Sequence, residues 1–146
     1  MQKLNEISLT YKNLKKEEIV INTSLIANKL LQDSWNKGNI ELVETFKVIY
    51  MNNSNKAKGI VEHSKGGITG TLVDVRVIMA TALKSLSVGL ILAHNHPSGT
   101  LKPSKSDIDL TNKIKQAAEY FDIKVLDHLI ITPENKYFSF SDEGIL

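Results

Sequence analysis

The sequence predicts an α/β fold in which a mixed β-sheet carries flanking helices. Three observations predict it. Segments of helical period alternate with strand-like runs, in the order helix, hairpin, helix, strand, helix, strand, strand. The run Val88-Gly89-Leu90-Ile91-Leu92-Ala93 is continuously apolar yet too short for a helix of its own, as a central strand covered on both faces would be. A chain of 146 residues, 42% hydrophobic and 23% charged, holds enough apolar matter for one ordinary core, so a single domain over 1–146 is expected and wholesale disorder is excluded.

Each element has a local reason. Residues 1–22 read as an extended arm, with Ile7, Leu9 and Tyr11, then Ile19 and Ile21, alternating along it. Asn22, Thr23 and Ser24 offer an N-cap, after which Leu25, Ile26, Leu30 and Leu31 recur at helical spacing as far as Gly38. The chain then turns back through Ile40–Val43 to Glu44, and the β-prone run Thr45–Met51, the turn Asn52–Lys56 and Ala57–Ser64 form a hairpin. Gly66, Gly67 and Gly70 break regularity, in a loop expected to lie on the substrate side. From about Asp74 a second helix places Val77, Ile78, Ala82 and Leu86 on one face. The apolar strand follows and ends at His94-Asn95-His96-Pro97-Ser98-Gly99. A third helix from Ser104 sets Leu110, Ile114, Ala117 and Phe121 inward; Ile123–Thr132 and Tyr137–Phe140 close the sheet around the turn Pro133–Lys136.

Composition removes several classes of function. The net charge of +2 makes no demand for nucleic acid or an acidic membrane surface. No apolar run approaches the roughly 18 residues of a membrane span, and the polar opening stretch is not expected to be a secretory signal. The absence of cysteine excludes disulfide scaffolds, thiolate zinc sites and thiol nucleophiles, and fits a cytoplasmic location. Any metal must be held by nitrogen and oxygen.

The chemistry concentrates between His94 and Asp107. In an extended segment residues two apart share a side, so the imidazoles of His94 and His96 can reach one ion. A polar loop closing a strand end explains the bare pair equally well. Pro97, Gly99 and Pro103 then supply the turns that fold the chain back to Ser104-Lys105-Ser106-Asp107. Ser-x-x-Asp resembles a capping box, which would account for Asp107 alone; a capped first turn is also a rigid place from which to present a ligand. Two imidazoles and one carboxylate would leave a zinc ion an open position for water, the arrangement of a catalytic site. Activated water still needs a proton acceptor. Glu44 opens a core strand near the His94 strand end and is better placed than Glu41 or Glu62, although an exposed strand-edge acid is the plainer account of it. Ser104, three residues before Asp107, can face the open side of the ion, or simply cap the helix. Asn95 points away from the two histidines and pins the loop.

The spacing His-x-His, ten residues, then Asp, with Ser-x-x-Asp inside it, resembles the JAMM motif of zinc metalloproteases. The fuller string HNHPSGTLKPSKSDIDLT, with LDHLII (126–131) and YFSFSDEG (137–144), is similar to the bacterial RadC-like branch of that family, from about residue 6 to the C-terminus. The resemblance implies a JAB/MPN-type domain of cytidine-deaminase-like architecture, with Zn²⁺ held by His94, His96 and Asp107. It also implies Glu44 as the acid–base residue, Ser104 on the oxyanion side, and hydrolysis of a peptide or isopeptide bond. Where RadC-like chains usually read Pro-Arg-Glu before the second helix, this one has Val75-Arg76-Val77, and the N-terminal helix-hairpin-helix region of longer members is not expected here.

The alternative is a non-catalytic zinc-containing module linked to DNA repair or mobile elements. Its support in the residues is thin: Lys12, Lys15 and Lys16 lie together, and Lys102 and Lys105 flank the loop, but no aromatics interleave them. Nucleobase deamination is excluded, because its Pro-Cys-x-x-Cys ligands are missing. His128 beside Asp127 reads as a satisfied strand-end histidine or a partner of the loop, and His63 as solvated.

Overall fold

In the computed structural model, which describes residues 4–8, 10–14, 17–66 and 72–146, five strands and three helices form in the expected order. These are α1 (Ser24–Ser34), β1 (Thr45–Met51), β2 (Ala57–Lys65), α2 (Val75–Lys84), β3 (Gly89–Asn95), α3 (Lys105–Glu119), β4 (Lys124–Ile131) and β5 (Tyr137–Ser139). The sheet order is β2-β1-β3-β4-β5; β3 and β4 run parallel and every other neighbouring pair is antiparallel. This is the mixed α/β sheet with flanking helices that the sequence predicts.

Strand alternation divides the core into two layers. Phe46, Val48 and Tyr50 of β1, with Leu90 and Leu92 of β3, face Ile78, Met79 and Ala82 of α2 and Ile114 and Ala118 of α3. Ile49 and Met51, with Ile91, Ala93, Leu129 and Ile131, face Ala27 and Leu31 of α1, Trp35 and Ile40. Both faces are covered, which is why β1 and β3 are buried along their whole lengths and are mostly apolar. Lys47 is the charged residue within β1. Its ammonium reaches the Ser34 carbonyl at the end of α1 (2.7 Å) and lies 4.6 Å from the centroid of the Trp35 ring, and burial lowers its pKa.

Several local expectations are corrected. α1 stops at Ser34 because Trp35 takes an extended conformation, and turns fill the stretch to Gly38 and beyond. Leu86 lies past the end of α2, with a positive φ of 51° and a solvent-facing side chain; Val77 and Phe121 are also exposed, so the inner faces belong to Ile78, Met79 and Ala82 and to Thr111, Ile114 and Ala118. Leu25 is exposed, leaving Ala27, Leu31 and Trp35 to seat α1. His63 sits within β2, half-buried, its Nε2 2.5 Å from the Tyr50 hydroxyl. The arm forms no strand among its described residues beyond an isolated bridge of Val20 with Lys56, and Ile7 is exposed. Leu9, Lys15, Lys16, Gly67 and Gly70 lie outside the described residues.

Candidate metal centre

Register builds the site. β1 and β3 are antiparallel with Phe46 opposite His94, so the start of β1 meets the end of β3 and Glu44 arrives beside the two histidines. β3 runs further than the apolar run alone suggested: His94 and Asn95 are its last residues, fully ordered into the sheet. Alternation turns the His94 ring toward α3, where it lies near Phe46, and turns Asn95 toward the opposite layer. After His96 the chain bends through Gly99 (φ 82°), whose amide bonds the His96 carbonyl at 3.0 Å, and the Thr100 carbonyl thereby reaches His96 Nδ1 at 2.6 Å.

Asp107 arrives from the other side, on the first turn of α3. The capping box is real: Ser104 Oγ accepts from the Asp107 amide (3.1 Å), and Asp107 Oδ2 accepts from the Ser104 amide (2.8 Å). The same carboxylate faces both histidines, with Oδ1 3.3 Å from His94 Nε2 and Oδ2 3.3 Å from His96 Nε2. The side chain that caps the helix is therefore the same one that faces both imidazoles.

Glu44, His94, His96 and Asp107 each offer one ligating atom within 4.8 Å of the others, the one such grouping among the described residues. The two Nε2 atoms are 2.9 Å apart, and Glu44 Oε1 is 3.7 Å from His94 Nε2. The other ring nitrogens are already engaged, His94 Nδ1 by His128 (2.7 Å) and His96 Nδ1 by Thr100, so both Nε2 positions are left facing the carboxylates. A nitrogen–oxygen set of this kind, with no sulfur, fits a divalent transition metal such as zinc. Burial alone would raise the Asp107 carboxyl, but hydrogen bonds from His94 and His96, the His94 charge and the Ser104 amide outweigh it and hold it well below the usual range. Burial would likewise lower His96, yet the Asp107 hydrogen bond, the Thr100 carbonyl and the charges of Asp107 and Glu44 raise it. The cluster lies in a cleft of about 630 Å³ with Phe46, Leu72 and Leu110 in its walls and Ser104 and Ser106 at its edge.

Asn95 is completely buried and pins more than its own loop. Its Oδ1 accepts from the Thr45 amide (2.7 Å), and its Nδ2 donates to the carbonyls of Ile40 (2.8 Å) and Val43 (2.9 Å). The peptide groups on both sides of Glu44 are thus fastened to the strand that carries His94 and leads into His96.

His128 is where the residues alone pointed the other way. It lies not at a strand end but mid-β4, fully buried, stacked on Phe140 and bonded to His94. Burial, followed by the neighbouring His94 charge, lowers its pKa well below the ordinary value. Asp127 is not the partner of that imidazole, since alternation puts it on the other face. Its carboxylate accepts from Ser139 Oγ, the Ser141 amide and the His128 amide, and burial raises its pKa despite these bonds. A polar side chain inside the run LDHLII was the available signal, because a buried polar group in a core strand needs a partner.

Three of the basic candidates are among the described residues. Lys12 and Lys102 are exposed, and Lys105 is paired with Asp109 at 2.8 Å. No helix among the described residues is long and apolar enough to cross a membrane.

A family model described as the RadC-like JAB domain matches residues 12–145. A UPF0758 protein of Flavobacterium johnsoniae is 57% identical over 102 residues, covering 70% of this chain and 44% of its own. One from Fusobacterium nucleatum is 40% identical over 143 residues, covering 95% of this chain and 61% of its own. One from Clostridium botulinum is 34% identical over 145 residues, covering 98% of this chain and 61% of its own. The chain spans about half the length of the curated relatives it matches.

Proposed function

The chain belongs to the RadC-like JAB domain family, and from that premise we propose that it is a zinc-dependent, metallopeptidase-like hydrolase of amide or isopeptide bonds. The observation that carries the proposal is the convergence of Glu44, His94, His96 and Asp107 on one point of an open cleft. His94, His96 and Asp107 hold the ion, in a JAB unit that the arm of residues 1–22 leads into. When bound, zinc acidifies a water and polarises the substrate carbonyl.

Every remaining step belongs to the chain. Glu44 takes the proton of the attacking water as the new bond to the carbonyl carbon forms, and delivers it to the departing amine as the C–N bond breaks. Its backbone anchorage by Asn95 holds the carboxylate on the ligand side of the cleft. The Ser104 hydroxyl, on the cleft edge, donates to the oxygen on which charge develops. Phe46, Leu72 and Leu110 line the cleft and exclude water from the flanks of the substrate.

The test is Glu44→Gln in zinc-loaded protein, assayed on peptide and isopeptide libraries. Zinc content and thermal stability are expected to stay at the wild-type level, while turnover falls by about 10²–10⁴-fold, the usual contribution of a general acid–base group. Undiminished hydrolysis by that variant, or purified protein that neither carries a transition metal nor gains thermal stability from zinc, overturns the proposal.

A further inference from the structure

We propose that Thr111 and His128 form a hydrogen-bond relay that dictates which ring nitrogen His94 presents to the metal. The inference rests on the metal-site reading above, but its starting point is the direction of three hydrogen bonds.

Thr111 Oγ1 is 2.7 Å from the Asp107 carbonyl one turn back in α3. A carbonyl oxygen only accepts, so the single hydroxyl proton of Thr111 points there; two oxygens this close with no proton between them would repel. The hydroxyl oxygen is then left to accept from its other neighbour, His128 Nδ1, at 2.6 Å. His128 therefore carries its proton on Nδ1. An uncharged imidazole has one donor and one acceptor nitrogen, so His128 Nε2 accepts, and the atom it faces at 2.7 Å, His94 Nδ1, must donate. With Nδ1 of His94 committed as the donor to His128, Nε2, the nitrogen that faces Asp107 and Glu44, is the one that can give up its proton and offer a lone pair to the ion.

The relay is enclosed. Thr111, His128 and His94 are each at most 2% exposed, and Phe140 and Phe46 pack against the His128 ring, so the relay is shielded from bulk water. It also starts from the backbone of Asp107, itself a proposed ligand, and so joins the two halves of the site, β3 and α3, through β4. Thr111 and His128 are positioning residues; neither touches the ion. Outer partners of this kind typically change metal affinity by about 10–100-fold.

The test uses histidine-¹⁵N-labelled full-length protein and zinc itself as the probe. Two-bond ¹⁵N–¹H correlation spectra of the wild-type protein, metal-free and zinc-loaded, are expected to show His128 protonated at Nδ1 and bare at Nε2 in both states. Thr111→Val, which keeps the shape and removes the acceptor, is expected to raise the zinc dissociation constant by about tenfold or more in chelator competition, with Thr111→Ser restoring it. His128 protonated at Nε2, or unchanged zinc affinity in Thr111→Val, overturns the relay. Should wild-type protein take up no zinc, the metal reading fails by itself, and the proton position on His128 in the metal-free spectrum still decides the relay.

Discussion

Replacing Asn95 by alanine isolates what holds the proposed base in place. Asn95 makes three hydrogen bonds, two buried and one part-buried, at 2.7, 2.8 and 2.9 Å, to backbone groups between Ile40 and Thr45. At about 1 kcal/mol net for each bond the loss amounts to roughly 3 kcal/mol, more if the stranded amide and carbonyls find no water. For a chain of this size that corresponds to a fall in Tm of about 6–12 °C, read by calorimetry on metal-free protein. His94 stays on β3, His96 directly after its end and Asp107 on α3, so zinc affinity in chelator competition is expected to suffer far less than stability. Turnover should fall, because Glu44 loses its anchors on both sides. Asn95→Asp keeps the acceptor for Thr45 but turns an oxygen toward the Ile40 and Val43 carbonyls, and should be at least as unstable as the alanine variant at neutral pH. A fall in Tm below about 2 °C for Asn95→Ala, or zinc binding lost outright in that variant, refutes the reasoning.

Two further outcomes follow from other parts of the structure. Ser104→Asn keeps a side chain that caps as well as serine does, so Tm should hold while turnover falls by about 10²–10³-fold if the hydroxyl meets the developing oxyanion; equal turnover assigns Ser104 to capping alone. His63, its pKa lowered from 6.5 by burial, binds its proton later in the folded than in the unfolded state, so stability is lost as pH falls below that value. His63→Gln should make the urea midpoint of metal-free protein decline less steeply between about pH 7 and 5, the remaining slope being set by His128, whose shift has the same sign, against His96, whose raised pKa has the opposite one. An unchanged slope would show that His63 titrates alike in both states.

The elements were legible where local chemistry punctuates them. Thr23 caps α1, Asp74 caps α2 and Ser104 caps α3, and the turn residues between strands fall where they were expected. The ligand candidates were legible for a similar reason, since strand alternation, a Pro–Gly bend and a capping box are all short-range features. What was hidden lies across the sheet. Nothing local says that β3 pairs with β4 in parallel, and without that register His128 cannot be placed behind His94. Thr111 was hidden likewise, because only the packing of α3 on β4 brings it to His128. Asn95 was read correctly as turned from the histidines, but its targets, Ile40, Val43 and Thr45, lie about 50 residues away. The errors at Leu86 and Phe121 share one cause. Both continue a helical period beyond the last residue that is helical, and periodicity carries no mark of where a helix ends.

The double duty of Asp107 gives the third helix an unusual starting condition. The carboxylate that ties its first turn also faces the imidazoles, so unwinding that turn scatters the cluster, and a cation drawn into the cluster tightens the turn. With an ion bound as proposed, helix nucleation and ion retention would become a single equilibrium observed from two ends, and anything that grips the start of α3 would be felt as a change in how long the ion stays.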